Sequence, residues 1–140
     1  MREAVIVSTA RTPIGKAYRG AFNNTSGQAL GAHAIKHAVE RAKIDPGEVE
    51  DVVMGAALQM GSSAFNAARQ CLLEAGLPDS VAGQTIDRQC SSGMMAIGMA
   101  AKSIMTGEIA IAVAGGLESV SLVQNEHSNL YRAEDPFDDN

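Results

Sequence analysis

The sequence predicts an α/β protein in which a mostly parallel sheet carries helices on both faces. Short, nearly continuous apolar runs at residues 4–8, 49–57 and 109–114 read as strands buried on both sides, which is how parallel strands read. Stretches with apolar residues at helical spacing separate them, so strand and helix alternate as right-handed crossovers require. Residues 82–106 add a third signal: a strand, a tight corner with Cys90 at its tip, and a helix.

The run at residues 4–8 opens the chain as a buried strand, broken by Arg11-Thr12-Pro13-Ile14-Gly15. The Gly- and Asn-rich stretch up to Ser26 is a loop, and its cations Arg11, Lys16 and Arg19 are expected to be solvated rather than bound to phosphate or a partner. From Ser26 to Lys43, Leu30, Ala34, Ile35, Ala38, Val39 and Ala42 recur at helical spacing opposite His33, Lys36, His37, Glu40 and Arg41, predicting an amphipathic surface helix. His33 and His37 share a face but have no third ligand in view, so no metal site is expected. Asp45-Pro46-Gly47-Glu48 supplies a capped turn before the second strand, residues 49–57. A small-residue loop from Gly61 to Asn66 opens a helix at residues 67–75, stopped by Gly76 and Pro78. Arg69 on it is expected to meet an acid or a neighbouring chain. Past the Cys90 unit, the strand at 109–114 is closed by Gly115-Gly116, expected to serve close backbone packing. Beyond Leu117 the pattern weakens into an acidic tail, and His127 there reads as a surface-loop residue.

Composition bounds the function. At 140 residues the chain is one domain by length, with 46% apolar but only 4% aromatic residues, so its core is built from Ala, Val, Ile, Leu and Met. Eleven Lys and Arg against 16 Asp and Glu give a formal charge of −5, which argues against nucleic acid or an anionic membrane as partner. The opening residues lack a signal pattern and no apolar run approaches about 20 residues, so a soluble, cytoplasmic protein is expected. Two cysteines cannot build a disulfide scaffold or a four-ligand zinc site. Cys71, in a Leu and Ala context, reads as a small core residue.

Cys90 reads differently. Ser91 or Ser92 is placed to cap the following helix, and Gly107 follows Thr106 where a left-handed stop belongs. At such a corner, unpaired N–H groups and the positive end of the helix dipole face the sulfur and favour the thiolate. The helix itself has little polar surface: among Met94, Met95, Ala96, Ile97, Met99, Ala100, Ala101, Ile104 and Met105 only Lys102 and Ser103 interrupt, so it is expected to be covered on nearly all sides. Gly93 and Gly98, each costing up to about 1 kcal/mol in a helix interior, signal close neighbouring backbone.

Residues 87–97, D-R-Q-C-S-S-G-M-M-A-I, resemble the nucleophile segment of the thiolases, the acetyl-CoA acetyltransferases and 3-ketoacyl-CoA thiolases, usually N-R-Q-C-S-S-G-x-x-A-I. The opening V-I-V-S-T-A-R-T-P-I-G-K, the N-x-A-R-Q of Asn66 to Gln70 and the G-G-L-E-S-V-S of Gly115 to Ser121 fit in the same order. Asp87 departs from the common Asn, and Ser62-Ser63-Ala64-Phe65 departs from the usual Gly- and Gln-rich run.

The resemblance implies a thiolase-like N-terminal half, a mixed but mostly parallel sheet with helices on both faces, spanning residues 1–116. Residues 117–140 then begin a loop region with an acidic tail, and the C-terminal half is absent. It also implies that Cys90 carries the acyl group as a thioester and that its backbone N–H serves the oxyanion. Acyl-CoA and CoA are then substrates, with no further cofactor, no metal, no nucleic acid or membrane partner, and a homodimer or homotetramer as the assembly. In the family the base histidine, a second cysteine and most CoA contacts belong to the C-terminal half, so this chain alone is expected not to turn over. A 3-ketoacyl synthase shares the corner but reads more like D-T-A-C-S-S-S. A cysteine hydrolase would need a histidine placed to activate Cys90, and a non-catalytic interaction module would use the apolar helix as its binding face.

Overall fold

The computed structural model describes residues 2–126, so His127 and the acidic tail lie outside the described residues. Helix α1 (Gly27–Ala42) begins where Ser26 turns from extended backbone and its Oγ accepts from Ala29 N at 3.1 Å; it ends on Lys43 in the left-handed region. Asp45 and Glu48 close a capping box across a short 3-10 turn, Pro46–Glu48. Strand β1 (Asp51–Gly55), helix α2 (Ala67–Glu74), strand β2 (Ala82–Ile86), helix α3 (Ser92–Thr106), strand β3 (Ala112–Gly116) and a single turn α4 (Val120–Val123) follow.

The strands form one sheet in the order β2-β1-β3, and both pairings are parallel, with Val53 beside Gln84 on one side and Ala114 on the other. Alternation inside the apolar run of β1 sorts its side chains. Val52 and Met54 pack with Ile35, Val39, Cys71 and Leu72 under α1 and α2. Val53 points the other way, to Ala96 and Ala100 of α3. Helices therefore cover both faces, and the central strand is buried on both.

The structure departs from the sequence pattern at the flanks. Residues 4–8 do not join the sheet: Val5, Ile6 and Val7 are 70–75% exposed. The outer edges of β2 and β3 remain open, but the segment is held only near its ends, by Arg2 N on Met105 O and by the Arg41 guanidinium on Thr9 O. Apolar content marks a tendency to be buried but does not by itself supply ladder bonds. The last strand starts at Ala112 rather than residue 109, because the Glu50 carboxylate takes Ala110 N (2.6 Å) and Ile111 N (3.3 Å) ahead of the ladder. As an edge strand β3 is only partly buried. Among the described residues no helix is long and apolar enough to cross a membrane.

Cys71 has the core role its context predicts. It is fully buried, and a Cβ at Gly31 would come within 2.7 Å of its sulfur, so α1 and α2 meet there with no room for a larger residue. Desolvation, with the Glu74 carboxylate second, pushes the Cys71 thiol up from 9.0 to about 12. The unfolded chain releases this proton near pH 9 while the folded one holds it to about 12, so the contribution is complete below pH 9 and stability is lost as pH rises through that window. Denaturant midpoints of the wild type and Cys71→Ala, measured across that range, should converge as pH rises; a constant difference would contradict this reading.

Candidate active site

Three glycines bring the exits of β1 and β3 onto the start of α3. A Cβ on Gly55 would overlap the main chain of Ser92 and Gly93. A Cβ on Gly116 would meet Gly93 Cα at 3.0 Å and Gly55 O at 3.2 Å. At Gly55 and Gly116 a side chain would block this approach to the Gly93 main chain. Leu117 N donates to Gly55 O at 3.0 Å, tying the two strand exits together just beyond the sheet.

The chain reaches that contact through a corner held by its own polar groups. Asp87 Oδ1 accepts from Gln89 N at 2.7 Å. Ser92 Oγ accepts from Arg88 N at 2.7 Å and donates to Gln89 O at 2.6 Å, while Ser91 N donates to Arg88 O at 3.1 Å. This network fixes Gln89 at φ 50°, a left-handed conformation costing a non-glycine residue roughly 1–2 kcal/mol. Asp87 works here through one acceptor oxygen, which an Asn also has, so its departure from the family's usual residue leaves the turn intact. The cap differs from the sequence expectation. Ser91 holds the N-cap position without a side-chain bond, and buried Ser92 turns back to lock the corner.

Cys90 emerges from this corner exposed, just ahead of the first turn of α3. It lines a cleft of about 450 Å³ together with Gly55, Leu58, Gln89, Glu118 and Gln124. Helix α3 ends on Gly107 in the left-handed region, as its sequence predicts. Its outer face, however, is open: Met94 is 79% and Ile97 45% exposed, and nothing lies within 4 Å of a Cβ built on Gly98. The main chain at Gly93 is closely approached from Gly55 and Gly116, although a Cβ on Gly93 itself would meet nothing nearer than 3.5 Å; Gly98 has no such neighbour.

The other motifs hold the frame. Asn66 Oδ1 accepts from Arg69 N (3.1 Å) and Thr85 Oγ1 (2.9 Å), its amide donates to Gly83 O (2.7 Å), and Arg69 reaches the carbonyls of Val81 and Asp79. Arg69 thus meets backbone carbonyls rather than an acid. The loop at residues 11–26 keeps its cations exposed, yet its main chain is latched: Tyr18 N donates to Ser121 Oγ (2.8 Å), Tyr18 Oη to Gln124 O (2.7 Å), and Ser119 Oγ to Thr25 O (3.2 Å). Sequence reasoning missed Tyr18 and Glu118; the alternating serines after Gly116 were the available signal. The His33 and His37 rings lie edge to face at 4.4 Å, and among the described residues no three His, Cys, Asp or Glu side chains are grouped to hold a metal.

Comparison with known proteins bears on this corner. The family model for the thiolase N-terminal domain matches residues 4–139. The chain belongs to the thiolase family. It is 46% identical to an acetyl-CoA acetyltransferase of Escherichia coli over 122 residues, 87% of this chain and 30% of that protein. A 3-ketoacyl-CoA thiolase of Aliivibrio salmonicida is 39% identical over 128 residues, 91% of this chain and 33% of that protein. One from Bacillus subtilis is 43% identical over 123 residues, 88% and 32% respectively. The chain thus spans about a third of the length of these thiolases. Within that third lie the corner, its glycine contact and the G-G-L-E-S-V-S motif.

Ser92→Ala removes the acceptor of the part-buried corner amide at Arg88 N, and unfolding should cost about 1 kcal/mol less as a result. Amide exchange at Arg88 should accelerate in parallel. A denaturant midpoint and exchange rate equal to wild type would contradict the corner as described.

Proposed function

We propose that this chain carries the acyl-accepting cysteine of a thiolase acting on acyl-CoA, as an acetyl-CoA acetyltransferase or a 3-ketoacyl-CoA thiolase. The observation that carries the reading is an exposed cysteine on a rigid corner at a helix start, opening onto a cleft between two strand exits. The names of the relatives support the substrate class.

The Cys90 sulfur attacks the thioester carbonyl of an acyl-CoA, the bond to the CoA sulfur breaks, and the proton lost by Cys90 leaves with CoA as its thiol. The Cys90 N–H stabilises the oxyanion formed on the way. In the second half-reaction a proton leaves the alpha carbon of another acyl-CoA. The resulting carbanion attacks the acyl-cysteine, a carbon–carbon bond forms, and the Cys90 sulfur departs with the electrons of its carbon–sulfur bond and regains a proton, balancing the one lost by the alpha carbon. Thiolysis of a 3-ketoacyl-CoA is the same path reversed. Covalent capture divides one difficult exchange into two easier ones.

The groups that move protons in these steps are assigned to the further length that the relatives have and this chain does not span. CoA serves as substrate, with no additional cofactor. A cytoplasmic homodimer or homotetramer completes the reading, with the open apolar face of α3 supporting burial against further chain.

The test is mass spectrometry of the full-length protein quenched after mixing with acetyl-CoA. The Cys90 peptide should gain one acetyl group and the Cys71 peptide none; Cys90→Ala should abolish both labelling and turnover. The 140-residue chain alone, assayed with acetoacetyl-CoA and CoA, should not exceed its own Cys90→Ala control. Acetylation elsewhere, or turnover that survives loss of Cys90, would overturn the proposal.

A further inference from the structure

The G-G-L-E-S-V-S motif contains one acidic residue that the chemistry above leaves without a role. Glu118 follows directly on the glycine contact and lines the Cys90 cleft. Its Oε2 accepts from two consecutive backbone amides that line the same cleft, Ala57 N at 2.9 Å and Leu58 N at 3.3 Å. Its other oxygen, Oε1, is buried with no hydrogen-bond partner. Ala57 and Leu58 lie just past the end of β1, where the ladder no longer pairs them, and Leu58 faces the cleft beside Cys90. A carboxylate at the exit of β3 therefore holds Ala57 and Leu58, just beyond the backbone bonds of Gly55 and Ala56 at the exit of β1.

We propose that Glu118 is a positioning residue of the Cys90 cleft: it fixes the Ala57–Leu58 wall and so sets the width in which an acyl-CoA thioester meets the sulfur. The step from wall to substrate rests on the acyl-CoA reading above; the bonds to the two amides do not. Two amides on one carboxylate oxygen are charge-assisted bonds, stronger than their neutral counterparts. Removing the carboxylate leaves both amides without that acceptor and frees the wall to shift, while the Cys90 corner keeps its own bonds through Ser92 and Asp87. The effect belongs in substrate fit rather than in the sulfur itself.

The experiment compares full-length wild type, Glu118→Ala and Glu118→Gln. Amide exchange at Ala57 and Leu58 reads the wall, KM and kcat for acyl-CoA read the fit, and carbamidomethylation of Cys90 by iodoacetamide reads the bare thiol. Glu118→Ala should lose protection at both amides and raise KM about tenfold, equivalent to about 1.4 kcal/mol, with the iodoacetamide rate changed less than about threefold. Glu118→Gln keeps one carbonyl acceptor and should recover most of the protection and of KM. Unchanged KM in Glu118→Ala, or kcat and thermal midpoint falling with KM and amide protection unmoved, would overturn the proposal. If wild type forms no acyl-cysteine, the acyl-CoA reading fails and the positioning role fails with it, but retained amide protection would still establish the Glu118 clamp.

Discussion

Everything around Cys90 depends on backbone touching backbone. Two parallel strands end in glycine, and a helix begins with glycine two residues after its N-cap, so main chain from three elements meets where side chains would ordinarily hold them apart. The benefit is positional. A corner pressed against two strand exits has little freedom to wander, and the residue at its tip inherits that rigidity. Glycine weakens helices and strands on its own, which is why such a cluster calls for a reason beyond folding.

The polar network at the corner answers the strain that this closeness creates. Gln89 occupies a conformation that most residues avoid, and Ser92 and Asp87 supply the bonds that over-determine it. The motif after β3 extends the same logic outward. Its backbone joins the glycine contact, its glutamate braces the Ala57–Leu58 wall, and its serines fasten the loop that precedes α1. Residues far apart in sequence thus converge on one cleft.

Much of this was legible from the sequence. The continuous apolar run of β1 announced a strand covered on both sides, and Ser26, Asp45 and Gly107 marked element ends because caps use local chemistry. Cys90 stood out for the same local reason. What local pattern could not supply was partnership. The run at residues 4–8 looks like a buried strand and lies exposed, since apolar content does not by itself supply ladder bonds. The Met-rich helix looked fully enclosed, yet among the described residues only one of its faces is packed. Glu118 escaped notice because its partners are amides about 60 positions away.

The most direct measurement is the rate of Cys90 acylation by acetyl-CoA in the full-length Gly55→Ala protein, set against Gly93→Ala at equal concentrations of folded protein. A methyl at Gly55 must displace the corner, whereas one at Gly93 meets its nearest neighbour at 3.5 Å, ordinary van der Waals distance. The account predicts that Gly55→Ala is slower by at least about tenfold. Equal rates would show that the glycine contact does not position the sulfur.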